Sequence, residues 1–133
     1  MATVVIDAQP LVALVRGEPL MCVVRDRLQQ LQGSHRLIIS SVNWCEVLYV
    51  IRRNTDAATA ARAARLLQDF TVAVVDADAE LATFAAEVKA RHGLGLGDSF
   101  AAALAIATDS PLMTADADFL PLAEHGLKLD WLG

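Results

Sequence analysis

Four acidic residues could do chemistry together: Asp7, Glu46, Asp98 and Asp116, with Asp118 two residues after the last. Carboxylates gathered in one place repel each other, which raises their pKa values and destabilises a fold unless cations neutralise them. A donor set made only of oxygens suits Mg2+ or Mn2+ rather than zinc. His35, His92 and His125 are scattered without zinc-like spacing and read as surface or loop residues.

Taken singly, each carboxylate also has an ordinary structural explanation. Asp7 ends the apolar run Thr3 to Ile6 and could serve as a turn or cap residue. Glu46 has Val42, Tyr49 and Val50 as helical neighbours, with Asn43 alongside, so its face is mostly apolar. A carboxylate there needs a cation or hydrogen-bond donors, and either a metal or an arginine such as Arg53 would serve. Asp98 follows Gly97 and reads as a helix cap, unless Ser99 caps instead and leaves Asp98 free. Asp116 and Asp118 form an Asp-x-Asp pair after a short apolar run, a pattern that fits either capping or metal binding.

The elements that must position these residues follow from hydrophobic runs and their punctuation. Strands are expected at Thr3 to Ile6, Leu37 to Ile39, Thr71 to Val75, Pro111 to Thr114 and, at an edge, Leu127 to Trp131. Helices are expected from Pro10 to about Arg16, from Pro19 to near Gly33, and from Ser40 or Ser41 to near Arg53. Further helices are expected from Asp56 to near Phe70, from Asp76 or Asp78 to before Gly93, and from Asp98 to about Thr108, with a short one after Asp116. Short apolar strands alternating with helices imply a three-layer α/β/α fold around a mostly parallel sheet of four to five strands. In such folds ligands bind outside the carboxyl ends of the strands, which is where Asp7 and Asp116 fall.

The chain has 133 residues, which predicts a single domain spanning 1–133. Hydrophobic residues make up 55% and mean hydropathy is +0.41, partly because alanine is abundant. The surplus predicts that a partner or a second copy covers part of the surface. No apolar run approaches the roughly 20 residues of a membrane span, so no membrane association is expected. Cys22 and Cys45 follow no metal or redox spacing, and no signal peptide is visible; a reducing cytoplasm fits best. The net charge of −5 argues against a general nucleic-acid binder, although cations bound at an acidic site would reverse its sign locally.

The order and context of the acidic residues resemble a PIN domain of the VapC toxin family. Thr3-Val4-Val5-Ile6-Asp7-Ala8 is similar to the family's opening strand, and Ile38 to Val47 to its strand, serine-rich cap and Glu-bearing helix. His92 to Ala103 is similar to its glycine-leucine loop leading into Asp and a small-residue helix, and Thr114 to Phe119 to its Thr-x-Asp-x-Asp-Phe segment. One departure is Gln9, where many members carry Ser, Thr or Asn.

The resemblance implies an endoribonuclease, the toxin of a toxin–antitoxin pair, that cuts RNA with Mg2+ or Mn2+ held by Asp7, Glu46, Asp98 and Asp116. Asp118 would be a second-tier ligand, and Asn43 and Thr114 would tune the ligands from behind. Arg16, Arg52 and Arg53 could hold RNA phosphates, or be solvated charges at helix ends. A cognate antitoxin and a homodimer are the implied protein partners. Rival readings are a non-catalytic PIN-fold scaffold, a Toprim-like phosphotransfer domain and a phosphoacceptor receiver domain. The Toprim-like reading leaves Asp7 and Asp98 without a role, and for a receiver Lys89 and Lys128 are poorly placed.

Overall fold

The computed structural model describes residues 1–54 and 56–133. Five strands, β1 (Ala2–Ile6), β2 (His35–Ser40), β3 (Val72–Val75), β4 (Leu112–Thr114) and β5 (Leu129–Trp131), form one sheet in the order β3-β2-β1-β4-β5. Every pairing is parallel, β4 with β5 included, so the expected mostly parallel sheet of four to five strands is a wholly parallel sheet of five.

The helices are α1 (Ala8–Arg16), α2 (Met21–Leu31), α3 (Ser41–Asn54), α4 (Ala57–Asp69), α5 (Ala79–His92) and α6 (Leu96–Ala107), followed by a 3-10 helix, Ala117–His125. Asp56 and Asp78 cap α4 and α5 by accepting from the Thr59 and Leu81 amides. Three expected starts move. Pro10 lies in the third position of α1 and Pro19 two residues before α2, since Asp7 caps α1 and a turn at Glu18 to Met21 precedes α2. Helix α6 begins at Leu96, so Asp98 sits inside its first turn instead of capping it. Ser99 does not cap either; its hydroxyl donates to the Gly95 carbonyl.

Side chains alternate along each strand, so the two sheet faces bury different sets. Val4, Ile6, Leu37, Ile39 and Met113 pack against α1 to α4, while Val5, Ile38 and Leu112 pack against α5, α6 and the 3-10 helix. Helix α6 is packed on the sheet and on α3 and α5 at once, and Ala101, Ala102 and Ala103, each 0% exposed, meet these neighbours with nothing larger than a methyl group. Ala102→Leu overfills this layer and is expected to destabilise the fold by about 1–3 kcal/mol in a denaturant titration.

Candidate active site

Strands β1, β2 and β3 run in succession to one side of the sheet, whereas β4 lies on the other side of β1. The chain therefore reverses direction between β1 and β4, and the crevice beyond their carboxyl ends is where an open parallel sheet offers a ligand site. A cavity of about 540 Å³ opens there, lined by Asp7, Gln9, Val12, Glu46, Val50, Asp98 and Asp116 among others.

Asp7 leaves β1 and is 3% exposed. Its Oδ1 accepts from the Ala8 amide at 2.9 Å and its Oδ2 from the Thr114 hydroxyl at 2.9 Å. Thr114, wholly buried at the end of β4, also accepts from the Asp116 amide at 3.0 Å. One hydroxyl thus ties the acidic residue after β1 to the one after β4. Burial is the main influence on Asp7 and pushes its carboxyl up to about 7, helped by Asp98 and Glu46 and opposed by the Thr114 and Ala8 hydrogen bonds.

Glu46 is held from behind. Buried Asn43 donates through Nδ2 to Glu46 Oε1 at 3.3 Å and to the Gly97 carbonyl at 2.9 Å. The Ser40 hydroxyl donates to Asn43 Oδ1 at 2.5 Å and accepts from the Asn43 amide at 3.0 Å. This network joins the end of β2, the first turn of α3 and the first turn of α6. Gly97 itself makes room for Glu46: a Cβ at position 97 would overlap the Glu46 carboxylate. Burial, then the neighbouring Asp98, raises the Glu46 pKa, and the Asn43 hydrogen bond lowers it.

Asp98, Asp116 and the exposed Asp118 bring one carboxylate oxygen each within 4.8 Å of one another. Burial raises the Asp98 pKa first, then the charges of Asp116 and Asp118. Asp116 uses Oδ1 to accept from the Asp118 amide at 2.9 Å, capping the 3-10 helix. Three hard oxygen donors around one point, with Asp7 and Glu46 lining the same cavity, match the chemistry of a divalent cation that prefers oxygen.

The structure thus brings together Asp7, Glu46, Asp98 and Asp116, backs them with Asn43 and Thr114, and puts Asp118 in the tight cluster, although its sequence context ranked it lower. Gln9 lines the cavity. Of the three arginines considered for phosphate contact, none lines it. Arg16 sits at the far end of α1, 3.4 Å from Glu18, and Arg52 faces a groove between α3 and α4 beside Trp44 and Asp56. Arg53 lies two turns along α3 from Glu46. Ser40, a cap candidate from the sequence, does accept from the Asn43 amide, but its bond to the Asn43 side chain was missed, as was Gly97 as the residue whose bareness admits Glu46. The signal for Gly97 was the glycine spacing before Asp98.

Two outcomes follow. Gly97→Ala is expected to fold normally yet displace the Glu46 carboxylate, so that if the crevice takes a divalent cation, its affinity in a calorimetric titration with Mn2+ falls about 10–100-fold. The second concerns pH. A carboxyl whose folded pKa is raised contributes stability below its unfolded pKa, and that contribution is lost as pH rises through the folded value. For Asp7 the window runs from the ordinary 3.8 to about 7. Metal-free protein should therefore melt at lower temperature as pH climbs through this range, a tenfold change in proton affinity being worth about 1.4 kcal/mol. Asp7→Asn should flatten the profile.

The PIN domain family profile matches residues 4–124. A VapC ribonuclease of Mycobacterium bovis and ribonuclease VapC42 of Mycobacterium tuberculosis are each 29% identical over 123 residues, covering 86% of this chain and 92% of theirs. Among solved structures, VapBC2 of Rickettsia felis, bound to a promoter DNA fragment, superposes with a TM-score of 0.78 at 19% identity, over 96% of this chain and 97% of that one. Mycobacterium tuberculosis VapC20, described as a toxin that cleaves the sarcin–ricin loop, superposes with a TM-score of 0.76 at 20% identity, over 89% of this chain and 93% of that one. With a family match across nearly its whole length and the acidic crevice in place, this chain belongs to the PIN-domain family.

Proposed function

We propose that the chain is a Mg2+- or Mn2+-dependent endoribonuclease, the toxin of a VapBC-type toxin–antitoxin pair. The observation that carries this is the convergence of Asp98, Asp116 and Asp118 within 4.8 Å, in a crevice that Asp7 and Glu46 also line. The relatives named VapC ribonuclease agree with it.

The metal, when bound, would polarise the scissile phosphate and lower the pKa of a water for in-line attack. The protein's part is to hold oxygen atoms in place. Asp98 and Asp116 supply ligands from two separate elements, with Asp118 as a further arm from the 3-10 helix. Asp7, fixed through both oxygens, orients the floor of the site, and Thr114 keeps it in register with Asp116. Glu46, kept in place by Asn43, serves as a ligand or as an acceptor for a proton of the attacking water. The low exposure of Asp7 strengthens its attraction to a cation relative to bulk water.

An antitoxin partner is part of the same proposal, supported by structural relatives that are VapBC complexes. A second copy of the chain is the other proposed partner. Exposed Val23, Val74 and Leu120 give apolar surface that such contacts would cover.

The test uses purified protein, free of antitoxin, on a pool of structured RNAs with Mg2+, Mn2+ or EDTA. Discrete cleavage that needs metal is expected, and Asp98→Asn should reduce it by about 100–1000-fold, as removing one preorganised electrostatic group does. Folded protein that cuts nothing with either metal would favour a scaffold role instead.

A further inference from the structure

An acidic crevice repels the polyanion it is proposed to cut, so the substrate needs an anchor outside the carboxylates. The face of α3 that carries Glu46 continues through Tyr49, Val50 and Arg53, spaced three, four and seven residues on. Val50, one turn on from Glu46, lines the cavity, and Arg53 lies a further turn along the same helix, outside that lining. Tyr49, the sole tyrosine of the chain, leaves 58% of its surface in solvent. The Arg53 guanidinium donates to the Tyr49 hydroxyl at 3.3 Å, and its central carbon lies 6.0 Å from the ring centroid. Among the described residues, Arg16, Arg27 and Lys128 are paired with carboxylates, while Arg25 meets Cys22, Lys89 the Leu94 carbonyl and Arg53 the neutral Tyr49, the one aromatic partner of the three.

We infer that Tyr49 and Arg53 form a landing step for single-stranded RNA beside the scissile phosphate, the ring stacking on a flanking base and the guanidinium meeting its phosphate. The inference rests on the nuclease reading and specifies how that site holds its substrate. An aromatic face accepts any base, because every base has a π-face, while a fork of N–H donors recognises phosphate without reading sequence. The pairing already made between the two side chains limits their freedom before RNA arrives, so less ordering is left for binding. Seven residues of helix place Arg53 about 10 Å along the axis from Glu46, within the span of the neighbouring nucleotides.

The experiment measures binding of a fluorescein-labelled single-stranded RNA by anisotropy, in the Asp98→Asn background so that nothing is cut. Tyr49→Ala is expected to weaken affinity about 10-fold and Tyr49→Trp to preserve it. Arg53→Ala is expected to flatten the slope of log affinity against log salt by about 0.7, one phosphate contact on a single strand. Arg36→Ala, on β2 and away from α3, serves as the control for simple charge loss. With Asp98 intact, Tyr49→Ala should raise KM and leave kcat in place. Unchanged affinity and salt slope would overturn the inference. So would unchanged affinity with a loss of oligomer in light scattering, which would assign this face to a protein contact. The nuclease reading fails separately, if protein with Tyr49 and Arg53 intact cuts no RNA with either metal.

Discussion

Repulsion among carboxylates is the constraint around which this structure is arranged. Asp7, Glu46 and Asp98 all have raised pKa values, each first through burial and then through at least one acidic neighbour. Groups in that situation scatter unless something holds them. The Thr114 hydroxyl holds one side by joining Asp7 to the Asp116 backbone, and Asn43 holds the other by joining Glu46 to Gly97 in the first turn of α6. Both anchors are wholly buried, so neither exchanges its partners for water. The site keeps its shape through neutral donors placed behind the carboxylates, which leaves their cavity side open.

The sheet supplies the scaffold for these anchors. Because β4 lies beside β1, two acidic residues far apart in sequence emerge next to each other. The alanines of α6 meet the sheet, α3 and α5 with nothing larger than a methyl group, and the first turn of that helix carries Asp98 into the same crevice. The fold and the acid cluster therefore have one physical origin: strand order chooses the place, and the packing of α6 brings Asp98 to it.

Much of this was legible in the chain. The apolar runs located all five strands: β1, β2 and β4 are largely buried and read as continuous apolar runs, while β3 and β5, only partly buried, were marked by their bounding turn residues. Asp7 and Asp116 could be placed at strand ends, and Glu46 on a partly apolar helix face, from local context. The start of α6 was not legible. Gly95 and Gly97 look like loop, and a helix that begins at Leu96 without a side-chain cap gives no local signal. The place of Asp118 in the tight cluster was not legible, since the 3-10 turn that brings it back beside Asp116 goes with the tertiary packing of Phe119, which is 0% exposed. Arg16 and Arg52 looked close to the site in sequence but point elsewhere, because a helix turns a neighbour in sequence onto another face within one or two residues.

The bare α-carbon at Gly97 has a consequence for how the site and the fold are coupled. The three atoms nearest an added methyl all belong to the flexible end of Glu46. A chain altered there would keep its core and its outer grooves, while its acidic centre lost its geometry. One methyl would then part shape from charge: the outside of the fold and its acidic centre can be altered independently of each other.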